Sequence, residues 1–120
     1  MGFWIKVPDT AASNEYEVYM LGEVPDRFSA PTSTTDIASG STLVGYMYPS
    51  EILWTNTHLA RNAVIGDMMY YWDGTNYIAN NKTFMGWSDP NLLITPDMGF
   101  WFCTSRSGTN WVEVKPYTWP

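Results

Sequence analysis

Residues 67–80 read DMMYYWDGTNYIAN, and this stretch decides the fold class. Two runs rich in aromatic residues flank the pair Asp73-Gly74. Aromatic residues favour strands over helices, and glycine takes the positive φ that a tight turn needs. The stretch therefore predicts a β-hairpin.

The rest of the chain repeats this alternation of short apolar runs and turn residues. Further strands are predicted over 41–49, 91–95, 98–103 and 111–115. Short strands with frequent turns are typical of a sandwich or small barrel, and pairing is expected to be antiparallel because no helical crossover is present. The sequence predicts an all-β antiparallel β-sandwich or small barrel with at most one short helix, near residues 49–60.

The opening residues recur near the end of the chain. Residues 1–5 read MGFWI and residues 98–102 read MGFWF, while 14–18 (NEYEV) resemble 110–114 (NWVEV). Such internal similarity indicates a repeated unit. We therefore expect one domain that begins out of phase with its own repeat. The single domain spans 1–120 and has three parts. The first is a hairpin over 1–24, which corresponds to the repeated segment 98–120. A polar connector over 25–41 follows, and the complete module spans 42–120.

Composition excludes several classes of partner. The 120 residues carry a net charge of −6, and their six Lys and Arg residues are scattered. Nucleic acids and anionic membranes attract clustered Lys and Arg, so we expect no nucleic-acid partner. No apolar run is long enough for membrane insertion. Cys103 is the only cysteine, which rules out an intrachain disulfide, and we interpret it as a small, half-buried side chain.

Several short motifs carry a family resemblance when they are taken in chain order. They are Leu43-Val44-Gly45, Gly66-Asp67 with Trp72-Asp73-Gly74, Gly86-Trp87, Met98-Gly99-Phe100-Trp101 and Trp111–Val114. In this order they resemble a repeated β-module of secreted proteins from Verrucomicrobia and related bacteria. The segment 21–25 is similar to the linker between tandem modules of that kind. The resemblance implies a secreted or surface-associated module, and it supplies no catalytic residues.

Aromatic side chains are the first candidates for a ligand site. Trp72, Tyr77, Trp87 and Trp101 lie near predicted turns or strand ends, where a flat ring can stack on a sugar. The alternative is that such rings pack as cross-strand pairs on a sheet face. We expect Trp87 to be the most exposed, because it follows a glycine at a turn. Trp119 is the next, because little chain remains to bury it.

Carboxylates and His58 give weaker signals. A glycosidase needs two carboxyl groups facing each other across a cleft, whereas turn formation explains Asp73, Asp89 and Asp97. The loop after Asp73 holds several oxygen ligands for calcium, but not at the spacing of an EF-hand. His58 has no partner at metal-ligand spacing. We therefore expect no enzyme activity, no catalytic residue, no metal and no cofactor.

The leading hypothesis is a non-enzymatic module, secreted or at the surface of a bacterium, that acts in assembly or adhesion. Its hairpin over 2–20 either packs beside its twin within one domain or adds to the exposed edge of another subunit. The second arrangement predicts a homo-oligomer with Phe3, Trp4 and Trp119 at the contact. The alternative function is a carbohydrate-binding module whose exposed tryptophans bind a polysaccharide.

Overall fold

The computed structural model describes residues 19, 25–26 and 28–118. The first copy of the repeat, with Phe3 and Trp4, and the C-terminal Trp119 lie outside the described residues. Within those residues the chain forms nine strands, a 3₁₀ turn at Trp54–Asn56 and a single α-helical turn, α1, at His58–Arg61. The strands are β1 (Thr32–Ile37), β2 (Gly40–Gly45), β3 (Ile52–Leu53), β4 (Met68–Trp72), β5 (Tyr77–Thr83), β6 (Gly86–Trp87), β7 (Leu93–Ile94), β8 (Gly99–Thr104) and β9 (Thr109–Val114).

These elements confirm the predicted all-β fold with little helix. The main sheet has five strands in the order β2-β8-β4-β5-β6, and two further pairs, β1-β9 and β3-β7, complete the strand pairing. All the described pairs are antiparallel. The hairpin predicted from Asp73-Gly74 is confirmed as β4-β5. Gly74 has a φ of 101°, which explains why glycine occupies that position in the turn.

A bent two-stranded ribbon joins the main sheet to the β1-β9 pair. Residues 32–45 run through β1 and β2, and they pair with residues 99–114 of β8 and β9 in the opposite direction. At the bend, two residues (38–39) lie opposite four (105–108). Unequal numbers of residues on paired strands produce a sharp change of direction, and strands that bend in this way pass from one sheet to another.

An ion pair and a glycine stabilise this bend. The guanidinium of Arg106 donates to Asp67 Oδ2 at 2.7 Å, and the Asp67 side chain is almost completely buried. Asp67 also accepts a hydrogen bond from the backbone N–H of Val64. Gly108 has a φ of 68°, a conformation that other residues adopt at a cost. The bend is therefore tied directly to the segment that precedes β4.

Two predictions about the ribbon are wrong. Residues 98–120 do not form a hairpin, because β8 pairs with β2 and β4 whereas β9 pairs with β1. The turn residues at 105–108 bend one strand and do not reverse it. The stretch 25–41 is not merely a polar connector either, because it contains all of β1 and the start of β2. Its threonines and isoleucine are β-branched residues, which favour strands.

Trp54 lies at the centre of the aromatic core. It is fully buried, and its ring contacts Trp87 edge-on with centroids 4.9 Å apart and Phe100 with centroids 5.5 Å apart. Phe100 in turn contacts Trp111, at 5.7 Å. Phe100 belongs to β8 and Trp111 to β9, so this contact spans the bend. Edge-to-face ring pairs add to the stabilisation from burial alone.

Glu113 is a buried acceptor that joins β9 to α1. Its side chain accepts hydrogen bonds from the backbone N–H of His58 at 2.6 Å and from the indole N–H of Trp111 at 2.8 Å. Its backbone oxygen accepts a hydrogen bond from the hydroxyl of Tyr48. Buried donors that lose their acceptor are costly because no water replaces it.

Replacing Glu113 with alanine is expected to lower the free energy of unfolding by about 1–3 kcal/mol for each donor left without an acceptor. Glu113→Gln keeps an oxygen at the same place and should cost less. Val114→Ala is the matched control, because this neighbouring side chain is exposed and its loss should change stability by about 0.5 kcal/mol or less. Denaturant unfolding measures all three. Equal losses for Glu113→Ala and Val114→Ala would contradict the assigned role of Glu113.

Candidate functional site

The pairing register separates the two faces of the main sheet. Side chains alternate between faces along a strand. Phe100 and Phe102 of β8 and Met69 of β4 lie in the core, so Trp101 and Tyr70 lie on the opposite face. We call that opposite side the outer face.

Four aromatic rings lie together on the outer face. Tyr70 is directly opposite Trp101, and Trp72 is directly opposite Tyr77. Tyr70 and Trp72 are two residues apart on β4, so they share a face. Together the four rings form a stripe across β8, β4 and β5, which we call the aromatic stripe.

The aromatic stripe is most accessible at the β4-β5 end. Trp72 is 53% exposed and Tyr77 is 44% exposed, whereas Tyr70 and Trp101 are partly exposed. The rings of Trp72 and Tyr77 form a T-shaped pair with centroids 5.1 Å apart and planes at 65°. Large exposed rings are costly to leave in water, and a contiguous group of them is typical of an interaction site.

A groove begins beside Trp72. Its volume is about 410 Å³, and its lining includes Trp72, Leu93, Thr95 and Asp97. Trp72 and Leu93 contribute apolar surface, and the other two side chains bring a hydroxyl and a carboxylate. The groove therefore combines apolar contact area with hydrogen-bonding groups, as small-molecule sites commonly do.

Two exposed carboxylates near Trp72 favour their ionised form. Hydrogen bonds from the backbone N–H groups of Asn76 and then Thr75 lower the pKa of Asp73. The hydroxyl of Thr95, which donates to Asp97 Oδ1 at 2.5 Å, lowers the pKa of Asp97. Donors that bind a charged carboxylate stabilise that form. Both side chains are therefore negatively charged hydrogen-bond acceptors at neutral pH.

Trp87 is not part of this site, and the prediction that it is exposed is wrong. The ring is only 7% exposed, packs edge-on against Trp54, and donates from Nε1 to the backbone oxygen of Ala60 at 3.1 Å. Trp87 follows the turn and pairs with Lys82. This pairing directs its ring into the core, with the Lys82 ammonium 5.9 Å from the ring centroid.

The structure thus brings together three of the four predicted ligand-binding residues, Trp72, Tyr77 and Trp101. The structure also places Tyr70 on this face, although Tyr70 was not predicted as a site residue. Its position two residues before Trp72 could have indicated this, because residues two apart on a strand share a face. The predicted assembly residues Phe3, Trp4 and Trp119 lie outside the described residues.

Other candidate residues have structural partners. His58 Nδ1 accepts a hydrogen bond from the backbone N–H of Val112 at 3.3 Å. Cys103 Sγ lies 3.1 Å from the hydroxyl oxygen of Ser41 across the β2-β8 pair. The described residues include no group of three or more His, Cys, Asp or Glu side chains placed to hold a metal ion. Over the same residues, no helix is long and apolar enough to cross a membrane.

Comparison with known proteins gives no match. No protein family matches the chain, and neither a curated protein nor a solved structure matches it. The resemblance to the bacterial β-module stays a prediction. The chemistry of the aromatic stripe is therefore the main guide to function.

Substituting Trp72 with phenylalanine is expected to remove more acrylamide-quenchable tryptophan fluorescence than substituting Trp87. The reason is that Trp72 is half exposed whereas Trp87 is buried. Trp87→Phe should also lower stability, because it removes the hydrogen bond to Ala60. Quenching titrations and denaturant unfolding of both variants measure these effects. An equal loss of quenchable emission in the two variants would contradict the assignment of the two rings to opposite faces.

Proposed function

We propose that this chain is a non-enzymatic adhesion module that binds a neutral polysaccharide through its aromatic stripe. The observation that carries the proposal is the set of four rings that share one outer sheet face, of which Trp72 and Tyr77 are the most exposed and form a ring pair. Function at a bacterial cell surface or outside the cell is part of the proposal, and the family resemblance supports it.

The geometry supports contact with several sugar units of one polymer. Pyranose rings present faces of C–H groups, which make favourable contacts with the flat faces of aromatic rings. Neighbouring strands are about 4.8 Å apart, so rings on three adjacent strands cover an extended surface. A polymer that crosses β8, β4 and β5 can contact more than one ring, and each contact adds to the affinity.

Polar groups beside Trp72 supply the hydrogen-bonding half of the site. Thr95 and Asp97 line the groove, and Asp73 directly follows Trp72 in the chain. Ionised carboxylates accept hydrogen bonds that are stronger than those between neutral groups. Sugar hydroxyls are donors of the required kind. In this arrangement the rings provide contact area and the carboxylates orient the sugar.

Charge favours a neutral polymer over an acidic one. The net charge is −6, and Asp73 and Asp97 place negative charge at the accessible end of the aromatic stripe. Like charges would repel an acidic polysaccharide. The lowered pKa of both carboxyl groups also supports binding over catalysis, because a general acid in a glycosidase needs a raised pKa.

Trp72→Ala and Tyr77→Ala are each expected to weaken polysaccharide binding by roughly 2- to 10-fold, because each removes one ring contact worth about 0.5–1.5 kcal/mol. Affinity electrophoresis and pull-down against a panel of neutral and acidic polysaccharides provide the measurement. Phe84→Ala is the matched control, since this ring is 85% exposed but lies on the β5-β6 turn, away from the stripe.

Three results would contradict the proposal. One is the absence of wild-type binding to every neutral polysaccharide in the panel. Another is a loss in Phe84→Ala as large as that in Trp72→Ala. The third is preferential binding to acidic polymers. Circular dichroism of each variant establishes that the fold is kept.

Binding is also expected to keep its strength from neutral pH down to the ordinary carboxyl pKa of 3.8 and to weaken only below it. The reason is that a lowered pKa keeps Asp73 and Asp97 mostly charged down to that value. Affinity measured across this pH range tests the prediction, with Asp97→Asn expected to show a smaller loss at low pH. A transition close to neutral pH would contradict it.

A further inference from the structure

A second groove lies on the outer face, at the end of β4 that is opposite to Trp72. Its volume is about 560 Å³, and its lining includes Ser41, Met68, Tyr70 and Cys103. We call it the Cys103 groove. Tyr70 is also one of the four rings of the aromatic stripe. The groove is therefore continuous with the stripe, because the two share a side chain.

The pairing register arranges the outer face in three rows of side chains, each two residues along the strands from the next. From one end to the other, the rows are Ser41 with Cys103 and Met68, then Leu43 with Trp101 and Tyr70, then Trp72 with Tyr77. The aromatic stripe runs diagonally from Tyr77 on β5 to Trp101 on β8. Its continuation in the same direction reaches Ser41 on β2, at the rim of the Cys103 groove.

This diagonal is long enough for several sugar units. From Ser41 to Tyr77 it crosses from β2 over β8 and β4 to β5, which is about 14 Å at the usual strand spacing. It also advances by two rows, which is about 14 Å along the strands. The two distances combine to a path of about 20 Å over the sheet surface. A single sugar ring covers only a fraction of this length.

The Cys103 groove offers uncharged hydrogen-bonding groups. Among the described residues that line it, none is charged. The hydroxyl of Ser39 donates to a backbone oxygen at 3.2 Å, and the hydroxyl oxygen of Ser41 lies 3.1 Å from Cys103 Sγ. A hydroxyl that donates still carries acceptor lone pairs. Met68 and Ile65 add apolar surface beside these groups. The lining therefore suits a neutral sugar, which needs both apolar contact and hydrogen bonds.

We propose that the polysaccharide lies along this diagonal, so that the ligand is a linear segment that occupies the aromatic stripe and the Cys103 groove together. The inference rests on the proposed function, and it adds the path and the minimum length of the ligand. Because Tyr70 joins the two parts, one unbranched segment contacts both without leaving the sheet surface. A short oligosaccharide reaches one part only, so affinity should rise with chain length until both are filled.

Oligosaccharide ladders test the length of the path. The probes are linear gluco-, xylo- and manno-oligosaccharides from disaccharide to hexasaccharide, and calorimetry measures their affinity. We expect the hexasaccharide of the preferred ladder to bind at least about tenfold more tightly than its disaccharide. Ser41→Leu places a larger side chain at the rim of the Cys103 groove, so it should remove most of this gain and leave the disaccharide affinity unchanged. Thr34→Leu is the matched control, because Thr34 is exposed on the β1-β9 pair and not in the main sheet.

Alkylation of Cys103 measures occupancy of the groove directly. Cys103 is the only cysteine of the chain, and its half-buried side chain lines the groove. A saturating hexasaccharide should slow its labelling by iodoacetamide at least about fivefold, because thiol reactivity requires access. A saturating disaccharide should leave labelling unchanged, since it binds at the more exposed pair of Trp72 and Tyr77. Cys103→Ser should keep the dependence of affinity on length, because the thiol serves only as a reporter.

The outcomes separate this inference from the proposed function. If Trp72→Ala weakens binding but affinity is independent of chain length and Cys103 is not protected, the extended path is wrong and the stripe alone is the binding site. Equal effects of Ser41→Leu and Thr34→Leu on hexasaccharide affinity would also overturn the extended path. If no oligosaccharide or polysaccharide binds, both proposals are wrong. Labelling uses the wild-type chain, so it decides the question even if Ser41→Leu proves unstable by circular dichroism.

Discussion

The structure depends on one pairing, in which residues 32–45 lie antiparallel to residues 99–114 and both strands bend together. The bend brings Phe100 of one half and Trp111 of the other into contact. It does so only because the two strands change direction at the same place. Pairing and core formation are therefore coupled. The ion pair between Arg106 and Asp67 ties the bend to the segment before β4, so the hairpin that carries Trp72 and Tyr77 is positioned from the same point.

The same pairing decides which rings enter the core and which remain accessible. Burial of Phe100 and Phe102 on one face of β8 leaves Trp101 on the other face, because side chains alternate along a strand. The register of β4 against β8 then places Tyr70 beside Trp101. The proposed binding surface is thus a consequence of core packing.

Prediction from sequence succeeded where the structure is local. Asp73-Gly74 predicts its hairpin because a tight turn is made by neighbouring residues. Trp87 shows the limit, since a tryptophan after a turn glycine carries no information about which face its strand presents. Its pairing with Lys82 decides that face. β1 was missed because its sequence is polar and its first pair joins Thr32 to Val114, 82 residues further along the chain. The bend at 105–108 was misread as a reversal because serine and glycine suit both.

By itself, the sequence determined the all-β class, the β4-β5 hairpin and the existence of two similar segments. These properties follow from local conformational preference and from the order of the residues. The tertiary structure was needed to show that Trp72, Tyr77 and Trp101 share an outer face with Tyr70 and that Trp87 is buried. Such outcomes depend on pairing between distant segments, because the burial that stabilises each pair involves residues that no local pattern brings together.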